Sequence, residues 1–423
     1  MKTTTSTVFG IAALAAAAAL TFAARGDPLT WTGGSATSDN FSDAANWSSS
    51  GSHTTPQTGD SIVFMGETRT SPVNDLDPDL FTFKNLILSN DNSAGFSAPF
   101  TFSGNTLKLS GSITAVKAVT GSITDVFNLD VVDASQSSAF VMGVNGSSSR
   151  NLTFNGSVSG DSGSWLETPS QYSGTIYFNG PISGFSNFYR PNGGASIFFR
   201  GVNTAFAGSG YNLNQGNLYF IDADNFGPAP KFRTGQGGYS TAGSVCFDPT
   251  NDVTITAEVG VISPSQSNNG LTLWNRTAGT TVTFTGNVVE RGTANNAGTR
   301  LVVDGVGTGV FKGDFTTDRM AFVKQGSGTW ILSDEIETCS MTGLVTVSAG
   351  KLVVDCTLQP NQRMTVSANA TIAGKGTLGA PVTFNSGSKY EVTVNGDGTP
   401  PCSSPHPISM PRTSSSRTPS AGR

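Results

Sequence analysis

The chain has 423 residues, a net charge of −5 and only 13 per cent charged side chains, where about 25 per cent is usual for a globular domain. It has no cluster of Lys and Arg to meet phosphate, which excludes nucleic acid as a partner. Its 51 glycines sit among Ser, Thr and Asn; helices favour Ala, Leu, Glu and Lys, so the composition points to β structure.

The N-terminus reads as a secretory signal peptide over residues 1–23. Met1-Lys2 is a short positive start, Val8 to Leu20 is an apolar run made mostly of alanine, and Thr21-Phe22-Ala23 places small residues before a cut near Ala23 or Ala24. A secreted location, extracellular or on the outer cell surface, is therefore expected. No later segment approaches about 18 consecutive apolar residues, so no membrane span is expected in the mature chain. Residues 24–60, with Trp31 and Trp47, read as a loop-like capping segment that covers the open end of a repeat region beginning at Ser61.

From Ser61 to residue 399 the chain reads as a ladder. Asn151-Leu-Thr-Phe154, Thr175-Ile-Tyr-Phe178, Ser196-Ile-Phe-Phe199 and Asn217-Leu-Tyr-Phe220 recur in steps of 24, 21 and 21 residues. Upstream the pattern continues through Phe64, Leu88 and Leu109, and downstream through Phe311, Leu332 and Val354. Phe247 and Phe284 mark a looser stretch between them. A unit of this length holds about three short strands, and units stack at roughly 4.8 Å, the spacing of hydrogen-bonded strands. Alternation turns Leu152, Phe154, Ile176 and Phe178 inward and Thr and Asn outward. Glycine after each strand is expected to supply positive φ at a sharp corner. The fold class is thus all-β, a right-handed parallel β-helix or solenoid with an N-terminal capping segment. The alternative, antiparallel β-sandwich repeats, has hairpins recurring at about 8 to 12 residues, half the period found here.

Residues 324–379 carry the most regular unit. Lys324-Gln-Gly-Ser-Gly-Thr-Trp330-Ile-Leu332-Ser leads through Gly343 to Val347-Ser-Ala-Gly350-Lys-Leu352-Val-Val354, and then to Val366 and Gly374-Lys-Gly376-Thr-Leu378-Gly379. This resembles the autotransporter-associated β-strand repeat, or passenger-associated transport repeat, of bacterial surface proteins. The stretch from Trp31 through Trp47 to Phe64 is similar to the start of many such proteins. The resemblance covers about a quarter of the chain and implies a β-helical, passenger-like scaffold with no catalytic residues. The chain departs from the pattern at Cys339, where Tyr or Thr is usual, and no translocator barrel is present, so self-export is not expected. Residues 400–423, rich in Pro, Ser and Arg, read as a disordered tail, truncated or frame-shifted.

Candidate chemistry is sparse. Asp222 and Asp224, two residues apart and so on one side of a strand, could form an acidic ledge with Asp248 and Asp252 for a cation or a sugar; solvated turn residues are the simpler reading. His53 and His406 belong to no motif. Cys339 and Cys356 could pair across neighbouring strands, although small buried thiols are the simpler reading. Trp165, Tyr172, Tyr189, Tyr211 and Tyr239 lie in polar, Gly-rich surroundings suited to stacking on sugars. The function expected is a secreted or cell-surface structural or interaction protein without catalysis, with no cofactor and no metal. Its expected partners are surface polysaccharide or other cell-surface proteins. The alternative is a carbohydrate-binding or carbohydrate-active β-helix of the lyase or hydrolase kind.

Overall fold

The computed structural model describes residues 28–392 except 50, 52, 90–97, 117–121, 137, 146–149, 169–173, 191–193, 235–242, 263–269, 292–298, 318 and 359–363. Residues 1–27, Tyr172, Tyr239, Cys402, His406 and the C-terminal tail lie outside the described residues. The described chain is a β-solenoid of about 11 turns. Every strand pair within it is parallel except one, the pairing of Leu29–Trp31 with Trp47–Ser49. The antiparallel sandwich is therefore overturned: beyond that N-terminal pairing, successive strands on one face come from successive coils.

Each coil passes three faces. The first is a 13-stranded sheet and the second a 14-stranded sheet. The third is a 4-stranded sheet in the early coils and a 7-stranded sheet in the late ones. Between these two sheets a short helix, Ala223–Phe226, stands in place of a strand and accepts the Asn203 amide on the Asp224 carbonyl at 2.9 Å. No helix among the described residues is long and apolar enough to cross a membrane.

The core is a set of stacked columns. Phe154, Phe178, Phe199 and Phe220 follow one another in register on the second face, as their spacing implies. Their rings stack at centroid distances of 5.4, 5.5 and 5.2 Å. Leu152, Phe154, Ile176 and Phe178 are all buried. The column begins earlier than its sequence pattern suggests, with Phe102 and Phe127 stacked at 4.8 and 4.7 Å from their neighbours.

The other ladder residues belong to different columns. Phe64 and Leu88 pair on the first face, Leu109 lies on the third, and Phe311, Leu332 and Val354 pair on the third. Phe247 continues the second-face column, whereas Phe284 sits beside Phe311 on the third. The loose spacing between Phe220 and Phe311 thus joins two faces. All three faces use the same apolar–polar alternation, so spacing alone does not separate them.

The expected positive φ occurs at glycines such as Gly66, Gly104 and Gly184, but three corner glycines beside the Phe column act differently. Gly156, Gly180 and Gly201 are absent from the positive-φ glycines. A Cβ at these positions would lie 2.2, 2.1 and 2.0 Å from the carbonyl oxygen of Leu129, Gly156 and Gly180 respectively. Glycine is required there because consecutive coils press backbone on backbone. Beside them the side-chain amides of Asn179, Asn155 and Asn128 form a hydrogen-bonded ladder, at 2.8 and 2.7 Å.

Residues 28–60 are more ordered than a loop. Leu29–Trp31 pairs in parallel with Ser61–Phe64, and Trp47–Ser49 lies at the outer edge of the first face. Trp31, Phe41 and Trp47 are buried and pack their rings on Phe64 at 5.6 Å each. His53 is bound locally, its Nε2 lying 2.9 Å from Asp60 Oδ2.

The repeat motif at residues 324–333 has a structural meaning. The Lys324 ammonium is buried and donates to the carbonyls of Gln325, Gly326 and Ala349, the last two at 2.8 and 3.1 Å. Burial pulls its pKa down to about 8. Trp330 lies in the core and donates its indole N–H to the Asp304 carbonyl at 3.1 Å.

Candidate functional site

The acidic ledge does not form. The strand Gly216–Phe220 ends before Asp222, which instead caps the helix by accepting the Asn225 amide at 2.9 Å. Asp224 therefore sits in a helical turn, where residues two apart point in different directions. Asp248 pairs with Arg276 at 3.3 Å, and Asp252 accepts the Thr281 amide at 2.7 Å. The capping box Asp222-Ala-Asp-Asn225 is a local helix signal that could have been read from sequence. Among the described residues no group of three or more His, Cys, Asp and Glu is placed to hold a metal ion.

A groove lies instead on the outer side of the first face, lined by Trp165, Glu167, Asn187, Tyr189, Asn212 and Arg233 together with Ser209. Its volume is about 440 Å³, within the range of small-ligand sites. Simple alternation builds it. Leu166, Phe188, Tyr211 and Phe232 are buried inward on four successive strands, so their neighbours turn outward. Glu167, Tyr189, Asn212 and Arg233 are aligned in register along the solenoid axis. In the neighbouring column Asn187 is followed by Gly210, where a Cβ would lie 2.0 Å from the Lys231 carbonyl oxygen of the next coil. Trp165 donates its indole N–H to Glu167 Oε2 at 3.0 Å, and Arg233 Nε donates to Asn212 Oδ1 at 2.6 Å. Trp165 and Tyr189 are both half-buried. The groove thus offers aromatic surface flanked by the Glu167 carboxylate, the Asn187 amide and the Arg233 guanidinium, while Asn212 in the lining is buried and holds Arg233.

Of the five aromatic residues singled out from sequence, the structure brings Trp165 and Tyr189 together. Tyr211 is not at the surface. It is fully buried, donates its phenol to the Phe226 carbonyl at 2.8 Å and accepts from Asn203 Nδ2 at 2.8 Å. Desolvation raises its pKa well above the usual tyrosine value. The phenol satisfies a carbonyl at the end of the inserted helix, an internal role that polar, Gly-rich neighbours do not announce.

No family model matches the chain, and the comparisons with curated proteins and with solved structures found no match.

A second outward aromatic row escaped the sequence reading. On the second face Tyr177, Phe198, Tyr219, Cys246 and Trp274 follow in register. Tyr177 stacks on Phe198 at 4.9 Å, and Phe198 on Tyr219 at 4.2 Å with 7° between planes. Arg200 lies 4.8 Å from the Tyr177 centroid, and Arg276 lies 5.1 and 5.3 Å from those of Tyr219 and Trp274. Burial pushes the Cys246 thiol up to about 12, so it stays protonated and inert at neutral pH. The signal was present for the three stacked rings: each sits directly before an inward ladder residue, in Tyr177-Phe178, Phe198-Phe199 and Tyr219-Phe220.

Proposed function

We propose that this chain is a secreted or cell-surface β-solenoid scaffold without catalysis, and that its first-face groove docks a surface polysaccharide. The observation that carries the reading is the juxtaposition of Trp165 and Tyr189 with Glu167, Asn212 and Arg233 on a rigid parallel sheet. Aromatic faces suit the apolar side of a sugar ring, while amides and charged groups suit its hydroxyls. Each additional coil advances by about 4.8 Å, so a flat face of several strands matches an extended chain better than a compact metabolite. Glu167 is the one carboxylate among the lining residues, whereas glycoside hydrolysis ordinarily uses two. That favours binding over cleavage. The secreted location rests on the pattern of residues 1–23, and kinship with autotransporter-associated repeats rests on the Lys324–Ser333 motif within a stacked β fold.

The test uses purified full chain and a panel of neutral and acidic polysaccharides in affinity electrophoresis and calorimetry. At least one glycan is expected to bind without release of reducing ends or unsaturated products, and binding is expected to fall on Trp165→Ala or Tyr189→Ala. Cleavage that is lost on Glu167→Gln would replace this reading with an enzymatic one. Binding indifferent to both aromatic changes would remove the groove from it.

A further inference from the structure

We infer, on the reading that the first-face groove docks a polysaccharide, that its ligand is an acidic heteropolysaccharide: a neutral sugar stacks on Trp165 and Tyr189, and an acid group two coils further on meets Arg233. The outward side chains change character along the solenoid axis. One strand contributes Trp165 and Glu167, the next Asn187 and Tyr189, and the fourth Lys231 and Arg233. Rings and a carboxylate thus mark one end and cations the other. Lys231 pairs in register with Glu258 of the next coil, whereas Arg233 meets Gly260 there and lines the groove. A Cβ at Gly260 would lie 2.8 Å from Arg233 Cβ, so glycine gives this arginine its room.

The two charges select against different chains. The Glu167 carboxylate accepts the Trp165 indole N–H at 3.0 Å and is thereby held beside the ring. A sugar stacked there lies next to a negative charge, so an acid sugar at that position is repelled. At the other end Asn212 is buried, and its Oδ1 accepts Arg233 Nε at 2.6 Å. That contact fixes the plane of the guanidinium, whose fork matches a carboxylate. Tyr189 and Arg233 stand in one column two strand spacings apart, about 10 Å. A neutral chain leaves the guanidinium unmatched. A uniformly acidic chain places a charge beside Glu167. A chain in which neutral and acidic sugars alternate satisfies both ends.

The experiment titrates full chain with three probes. They are hyaluronate, in which acidic and neutral sugars alternate; the same polymer after reduction of its carboxylates to alcohols; and polygalacturonate, in which every sugar is acidic. Hyaluronate is expected to bind about fivefold more tightly than either of the others, the size of one ion pair near a surface. Arg233→Gln is expected to level hyaluronate with its reduced form, and Arg233→Lys to keep part of the difference. Glu167→Gln is expected to raise polygalacturonate toward hyaluronate. Trp165→Ala is expected to weaken all three, because it removes the ring they share. Equal affinity for hyaluronate and its reduced form, still lost on Trp165→Ala, would overturn this inference and leave the groove reading standing. Polygalacturonate binding as tightly as hyaluronate would do the same. Failure of all three to bind would also overturn it, while the wider glycan panel decides the groove reading separately.

Discussion

The first and second faces both turn aromatic side chains outward, yet they use them in opposite ways. On the second face the rings are spent on one another: Phe198 lies between Tyr177 and Tyr219, with Arg200 beside the first pair and Arg276 beside Tyr219. Such a column presents ring edges and guanidinium groups, and its planar faces are covered. On the first face Trp165 and Tyr189 stand on different columns, and Trp165 makes no ring–ring contact among the described residues. What separates the proposed binding surface from the structural column is therefore not exposure of an aromatic side chain. It is whether the next coil supplies another ring in register.

The comparison can be broken most severely from the inside. Phe199 is buried between Phe178 and Phe220, one residue from the outward Phe198. Phe199→Ala is expected to cost about 3–5 kcal/mol, read from denaturant midpoints and slopes. Gly180→Ala should be comparably harmful, because its Cβ would lie 2.1 Å from the Gly156 carbonyl oxygen and neither backbone can give way. If Gly180→Ala left the midpoint unchanged, the close stacking of coils at this corner would be wrong.

A binding experiment sharpens the other side. Trp165→Ala is expected to weaken polysaccharide affinity by about tenfold, equivalent to roughly 1.4 kcal/mol, while changing stability little because the ring is half-buried on the outer side. A fall in affinity matched by an equal loss of folded protein would show that Trp165 supports the sheet and not the ligand.

How much of this was legible in the chain depends on the kind of residue. The stacked solenoid follows from recurring apolar pairs such as Ile176-Phe178 and Ile197-Phe199, because alternation and period are local properties. Face assignment was not legible, since Leu109 and Phe64 sit in the same alternation on different faces. Nor were the interior charges. Asp125 and Arg150 are fully buried and paired, with Arg150 Nη2 at 2.9 Å from Asp125 Oδ1, across 25 residues of sequence. Such a pair exists only once two coils are stacked. The groove was half legible: Trp165 and Tyr189 stood out by type, but Glu167, Asn212 and Arg233 join them through register between coils. Tyr211 looked alike in sequence and went inward because the inserted helix presents a carbonyl to it.

The smallest expected effect gives the most discriminating control. Tyr219→Ala removes one end of the second-face stack, including its contact with Phe198 and with Arg276. Aromatic pairs contribute about 0.5–1.5 kcal/mol beyond their burial, and the inward column beneath remains intact, so a stability loss of about 1 kcal/mol is expected. Polysaccharide affinity should stay within about twofold of wild type, because 1.4 kcal/mol would be needed for a tenfold change and no ring face is offered there. The measurement is a pair of titrations with the same glycan, Tyr219→Ala beside Trp165→Ala. If Tyr219→Ala weakened binding as much as Trp165→Ala, stacked rings would be serving as a ligand surface after all. The distinction between the two faces would then fail at its central physical step, the availability of an uncovered ring.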